Sequence, residues 1–274
     1  MKEIIKFSLT KNYYIIGGIL VAFCCVYMAW IFFPSNLSND NIASIKEVKI
    51  PTKEKSPVVI QEPVKSKADT VLAPDYSMPP IANGLTPVVY KLPTEQKVVF
   101  LGIDDGAFKD QTVVDIMVEN NIKASLFLSQ NTISNNPDFF KKLVDLGSVV
   151  ENHSVSHDTN MINTQVFDQQ KSEICGMSDY VELHYGRRPT LFRPPGGAYS
   201  DSLRQAAADC GMKAVVTWIA KANGGSMQYQ IGDKLRPGDI VLMHFRPEFA
   251  QDMKAFVDAM NTSGLHTALL EDAL

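Results

Sequence analysis

From residue 97 onward the chain alternates short apolar runs with helix-length stretches, a pattern that a parallel sheet covered by helices buries. Lys97–Ile103 (KVVFLGI) is nearly continuous in apolar residues, as a strand enclosed on both faces is. The apolar positions Val113, Val114, Ile116, Met117 and Val118 then fall within one helix length that stops near Asn120-Asn121. The unit recurs. Ala124–Leu128 reads as strand, Asp138–Leu146 as helix with Gly147 as its cap, and Ser148–Glu151 as strand. A helix over about 164–185, a strand at Thr190–Phe192 and a helix around Ser202–Cys210, stopped by Gly211, come next. Ala214–Ile219, Asp239–His244, a helix near Gln251–Met260 and Thr267–Leu270 complete the series. About seven parallel strands fit either a small β/α barrel or an open sheet, and in both the ligands bind beyond the C-terminal ends of the strands.

The first 85 residues have a different character. Tyr13–Phe33 is a run of 21 residues without a charge, which at about 1.5 Å per residue spans roughly the 30 Å core of a bilayer. A cleavable leader has a shorter apolar stretch and a small-x-small end, whereas Trp30, Phe32 and Phe33 stand at this end. Lys2, Lys6 and Lys11 precede the run and no Lys or Arg follows until Lys46, so the bias of positive charge predicts a single-pass anchor with residues 1–12 in the cytoplasm. Residues 34–85 hold seven prolines, with six acidic residues balancing six basic ones, and read as a disordered extracytoplasmic linker. Residues 86–274 remain for one domain with a sizeable core. That part carries 17 Lys+Arg against 23 Asp+Glu, a net of −6, which excludes the basic face a nucleic-acid partner requires. Protein partners leave no signature. Cys175 and Cys210 are the two cysteines of this domain, and the sequence leaves a disulfide and two buried free thiols equally open.

The strand ends carry the chemistry. The first long strand runs into Asp104-Asp105-Gly106, which alone is an ordinary turn. The strand at 148–151 runs into Asn152-His153, with His157 four residues on; an isolated H-x-x-x-H is a weak metal signal. The next strand delivers Arg193-Pro194-Pro195-Gly196-Gly197, where glycine lets a ligand approach the backbone amides. A later strand ends on Leu242-Met243-His244, and a lone histidine there is more often a packed rim residue. Together, four strand ends bring Asp, His and Arg to one face. Two imidazoles and a carboxylate form a ligand set that leaves coordination positions open for water or substrate.

IDDG at 103–106, HSVSH at 153–157, RPPGG at 193–197 and LMH at 242–244 resemble, in this order, the motifs of the polysaccharide deacetylases, the NodB-homology domains of carbohydrate esterase family 4. The resemblance covers nearly all of 97–274. It implies an α/β fold, a distorted (β/α) barrel of about seven parallel strands, that removes acetyl groups from N-acetylated sugars with one divalent metal, zinc first and cobalt or manganese as alternatives. It further implies Asp105, His153 and His157 as metal ligands, Asp104 as general base, Arg193 as the group that orients that base, and His244 as general acid. Pro195 and Gly196 would line the substrate, with a backbone amide near Gly196 stabilising the oxyanion.

Some positions depart from the pattern. Gly102 and Ile103 stand where the family has Thr-Phe, and Ala107 where it has proline. The stretch WIAKANGGSMQ after Trp218 lacks the family's Asp-x-x-Asp-Trp element, whose aspartate tunes the catalytic histidine. Trp218 reads equally as a sugar-stacking and as a core aromatic, His184 and His266 as solvated, and Lys141-Lys142 as an exposed helix face. The expected activity is deacetylation of extracellular glycan, peptidoglycan (N-acetylglucosamine or N-acetylmuramic acid) above others. An O-acetyl polysaccharide esterase and a catalytically weakened metal- and glycan-binding module are the alternatives.

Overall fold

The computed structural model describes residues 73–274. The expected cytoplasmic segment 1–12, the anchor 13–33 and most of the linker 34–85 lie outside the described residues. Within them, β1 (Val88–Val89) is a short edge strand and β2 (Val98–Asp105) is the central one, hydrogen-bonded on both sides. α1 (Gln111–Glu119) follows, its first turn closed by the Asp110 side chain accepting from the Thr112 amide. Then come β3 (Ser125–Leu128), the single turn α2 (Gln130–Ile133), α3 (Asp138–Asp145) and β4 (Val149–Asn152). α4 (Met161–Thr164), the long α5 (Phe167–Tyr185), β5 (Leu191–Phe192) and α6 (Asp201–Asp209) make the middle of the chain. β6 (Ala214–Val216), β7 (Ala220–Asn223), β8 (Ser226–Tyr229), β9 (Ile240–His244), α7 (Phe249–Thr262) and β10 (His266–Ala268) end it, before a 3-10 turn at Leu270–Ala273.

The strands form one curled sheet in the order β1-β6-β5-β4-β3-β2-β9-β7-β8, with β10 beside the first half of β2. Every pairing is parallel except β7 with β8. The expectation of about seven parallel strands is therefore corrected to a mostly parallel half-barrel of ten. Three strands were unforeseen: β1 is only two residues long, and β7 and β8 are a hairpin about Gly224-Gly225, both at positive φ. That two-residue turn is favoured for hairpins, but the flanking residues are too polar to show an apolar run.

The pleat of β2 sorts its side chains. Val99, Leu101 and Ile103 pack outward against α1, α3 and α7, in a core with Leu126, Leu128, Val150, Val241 and Met243. Phe100 points inward with Phe127, Leu191, Ala214, Val216 and Ile240. By the same alternation Gly102 and Asp104 face inward, so the inner layer turns from apolar at the strand starts to charged at the strand ends. Residues 73–85, expected as the end of the linker, are packed on this domain. Tyr76 is buried edge-on against Phe100 at 5.1 Å, Met78 donates its amide to the Ala273 carbonyl, and Asp75 accepts from the Glu95 amide. The linker reading failed there because one aromatic among prolines is a faint sign of burial.

Cys175 of α5 and Cys210 at the end of α6 form a disulfide with Cα atoms 5.1 Å apart, which decides the question that spacing left open. Under the sheet, Glu151 is fully buried: Arg187 Nη1 donates to its Oε1 at 2.7 Å, and the amides of Thr190 and Leu191 donate to Oε2. Glu271 of the closing 3-10 turn accepts from Ser125 Oγ at 2.8 Å. Burial first, and then the Glu151 charge, push the Glu271 carboxyl up from the ordinary 4.5 to about 8. A carboxyl with a raised folded-state pKa binds more protons when folded, so its stabilising share is complete below about 4.5 and is lost as pH rises through about 8. Urea denaturation is expected to show stability declining from pH 5 to pH 8.5, and Glu271→Gln to flatten that decline. An unchanged slope in the variant would remove Glu271 as its source.

Candidate active site

β2 ends on two acids that diverge. Asp104, inside the pleat, is 2 % exposed, and Arg193 Nη1 donates to its Oδ1 at 2.7 Å. Asp105 leaves the strand at φ +74° and Gly106 follows at φ +81°, so the backbone bends over and the two carboxylates face different groups. Thr132 of α2 holds the bend through its hydroxyl on the Asp105 carbonyl.

The loop after β4 is equally constrained. Asn152 is buried and donates from Nδ2 to the Ile174 carbonyl and to Ser178 Oγ, while its Oδ1 accepts from the Ser154 amide. Ser154 and His157 both have positive φ, and the Ser154 hydroxyl accepts from the His157 amide at 3.1 Å. Four polar contacts thus hold two strained residues in place. The result puts His153 Nε2 at 3.4 Å and His157 Nε2 at 2.9 Å from Asp105 Oδ1. The ligand atoms of Asp105, His153 and His157 lie within 4.8 Å of one another.

These donors fit a divalent metal ion. His153 Nδ1 is 2.6 Å from the Arg193 carbonyl oxygen, which can only accept, so that nitrogen carries the proton and Nε2 presents its lone pair. Asp105 Oδ1 is buried with no hydrogen-bond partner, although two imidazole nitrogens stand beside it. Such a convergence of a carboxylate and two imidazoles suits a cation. Burial works to raise the Asp105 carboxyl, but hydrogen bonding and charge from the imidazoles of His153 and His157 outweigh it and hold it far below the usual carboxylate range. Reciprocally, Asp105 raises the His157 imidazole.

Arg193 completes the inner layer. It is wholly buried, with its guanidinium 4.1 Å over the Phe127 ring and Nε donating to the Val216 carbonyl. Burial pulls its pKa down and the Asp104 charge opposes this. Its space comes from Gly102, because a Cβ there would lie 2.8 Å from Arg193 Cζ. What reads in sequence as a departure from Thr-Phe is thus the room this arginine occupies. Pro195 is buried and Gly196 sits at φ +70° in the turn Pro195–Gly197. The Gly197 amide is taken by the Pro194 carbonyl, so of the two glycine amides Gly196's is the one left to face a ligand. Trp218 lies against Gly197, where a Cβ would meet its ring at 2.7 Å, which makes it a half-buried rim aromatic.

His244 ends β9 in register with Asp104. Its far-side partner escaped sequence reasoning: Arg246 Nη2 is 3.0 Å from His244 Nδ1. Arg246 Nε is 3.4 Å from Asp252 of α7, which is fully buried and accepts from the Gly225 amide at 2.8 Å. Burial lowers the His244 pKa, opposed by Asp104 and Asp105 and reinforced by Arg246. An aspartate at a helix position otherwise expected to be apolar was the available signal. Away from the site, His266, Lys141 and Lys142 are exposed as expected, but His184 is half-buried against Tyr180 at 4.2 Å.

A curled, mostly parallel sheet gathers at its strand ends a two-histidine, one-carboxylate cluster beside an arginine-clamped aspartate, a set of groups suited to metal-assisted hydrolysis. The family model described as polysaccharide deacetylase matches residues 91–215. The chain is 33% identical over 196 residues to an uncharacterized protein of Streptomyces coelicolor, covering 69% of this chain and 78% of that protein. It is 26% identical over 167 residues to a peptidoglycan-N-acetylglucosamine deacetylase of Bacillus cereus, with 57% and 76% covered. Among solved structures, a carbohydrate esterase family 4 pseudoenzyme of Bacillus anthracis superposes with a TM-score of 0.58 at 22% identity, covering 69% of each chain. The chain belongs to the polysaccharide deacetylase family, carbohydrate esterase family 4.

Proposed function

We propose that the protein is a metal-dependent deacetylase of extracellular N-acetylated glycan, with peptidoglycan as its substrate. The single observation that carries the reading is the pairing of an intact Asp105–His153–His157 cluster with a buried, arginine-held Asp104. Relatives named as peptidoglycan deacetylases support the substrate. The apolar run Tyr13–Phe33 and the proline-rich stretch after it support a membrane-tethered enzyme whose domain faces the wall, with residues 1–12 inside.

Asp105, His153 and His157 would hold the ion, zinc before cobalt or manganese. Bound there, it supplies Lewis-acid polarisation of the acetyl carbonyl and makes a water easier to deprotonate. The remaining work falls to side chains and backbone. Asp104 is clamped by Arg193 through Oδ1, which leaves Oδ2 to take the proton from the attacking water. The new C–O bond forms at the acetyl carbon, and the Gly196 amide donates to the oxygen on which charge develops. The C–N bond then breaks with its electron pair on nitrogen, and His244 stands beside Asp104 to serve the leaving group.

Acetate release from N-acetylglucosamine oligomers or peptidoglycan tests the reading: activity is expected with zinc or cobalt, lost on chelation and restored by the metal. Folded protein giving no metal-dependent acetate from such glycans would sink it. The Arg246 contact at His244 favours a second reading, an esterase of O-acetylated polysaccharide, because an ester depends less on a proton at its leaving oxygen.

A further inference from the structure

The ring of His244 has only one edge free for chemistry. Arg246 Nη2 sits 3.0 Å from Nδ1, and a guanidinium has donors but no acceptor. Nδ1 must therefore accept, and the neutral ring carries its proton on Nε2. Asp252 anchors the arrangement from behind. It is fully buried, 3.4 Å from Arg246 Nε, and its other oxygen accepts from the Gly225 amide at 2.8 Å. The chain of contacts runs from the turn of the β7–β8 hairpin through α7 to the last residue of β9. A carboxylate on Nδ1 would favour an imidazolium, and here an arginine takes that place.

We propose that Arg246, held by Asp252, is a positioning and specificity-determining residue that fixes the His244 tautomer and thereby sets the balance between ester and amide acetyl groups. The inference rests on the deacetylase reading. A ring with its only proton on Nε2 can donate a hydrogen bond to the leaving atom, but giving that proton away would leave an imidazolate. In amide cleavage the C–N electron pair goes to nitrogen, which must gain a proton as it leaves. In ester cleavage the C–O pair goes to oxygen, which departs as an alkoxide hydrogen-bonded to Nε2–H and then takes the proton that Asp104 removed from water. Arg246 in place thus disfavours the amide relative to the ester.

The test uses the full chain in detergent micelles, with zinc present. In 15N-histidine-labelled protein, the His244 signal, assigned by loss in His244→Gln, is expected to show a protonated Nε2 and an unprotonated Nδ1. The kcat ratio for acetate release from O-acetyl xylan oligomers over N-acetylglucosamine oligomers is expected to fall at least about tenfold in Arg246→Met, within the range a general acid contributes, at similar KM. Arg246→Lys, which keeps one donor, is expected to retain the ratio. A wild-type Nδ1–H signal, or an unchanged ratio in a folded Arg246→Met, would overturn the proposal. Absence of acetate from both substrates in every variant would instead defeat the deacetylase reading, while the tautomer signal would still decide the positioning role.

Discussion

Asp104→Asn is expected to lower kcat for acetate release by about 10² to 10⁴ while leaving metal uptake intact. The amide keeps the shape of the carboxylate and keeps an oxygen for Arg193 Nη1, so the buried layer survives. What disappears is the basic oxygen Oδ2, the acceptor proposed for the proton of the attacking water. The ligand cluster is built on other residues, Asp105 after the bend of β2 and His153 and His157 on the polar-pinned loop after β4. Rate loss without metal loss would therefore separate base from ligands. A variant that retains full turnover would show that another group takes the proton.

Gly102→Ala is the second substitution with a large expected effect, and it acts through packing. The added Cβ would fall on the Arg193 guanidinium, 2.8 Å from Cζ. Arg193 is an otherwise yielding side chain, but here it is fully buried between Phe127, the Val216 carbonyl and Asp104. Displacing it breaks a buried ion pair, which costs about 3–5 kcal/mol. It also releases the base from its orientation, and a misplacement of about 1 Å can cost about 10²-fold in rate. Urea denaturation and acetate release on the same preparation check both effects. Wild-type stability together with wild-type turnover would mean that Arg193 has room to spare.

Much of the site was legible in the sequence because a parallel sheet gathers its strand ends on one side. Once Lys97–Ile103, Ser148–Glu151 and Asp239–His244 are recognised as buried strands, Asp104, Asp105, His153 and His244 must converge, as they do. What stayed hidden depends on side-chain volume and hydrogen-bond polarity across elements. Gly102 looks like a lost threonine until the arginine filling its space is seen. The hairpin at 220–229 has polar residues on its exposed face, so its apolar signal is too thin to announce two strands. Arg246 and Asp252 meet at His244 only through the turn from β9 into α7, which no period of apolar residues encodes. Tyr76 likewise binds residues 73–85 to the domain through one aromatic contact within a proline-rich stretch.

The metal content of the full chain tests the central claim most directly. After chelation, zinc reloading and removal of excess metal, elemental analysis is expected to find one zinc per wild-type chain and little in His157→Ala or Asp105→Ala. Wild-type protein that holds no zinc, or ligand variants that hold as much as wild type, would contradict the assignment of Asp105, His153 and His157 as the metal centre.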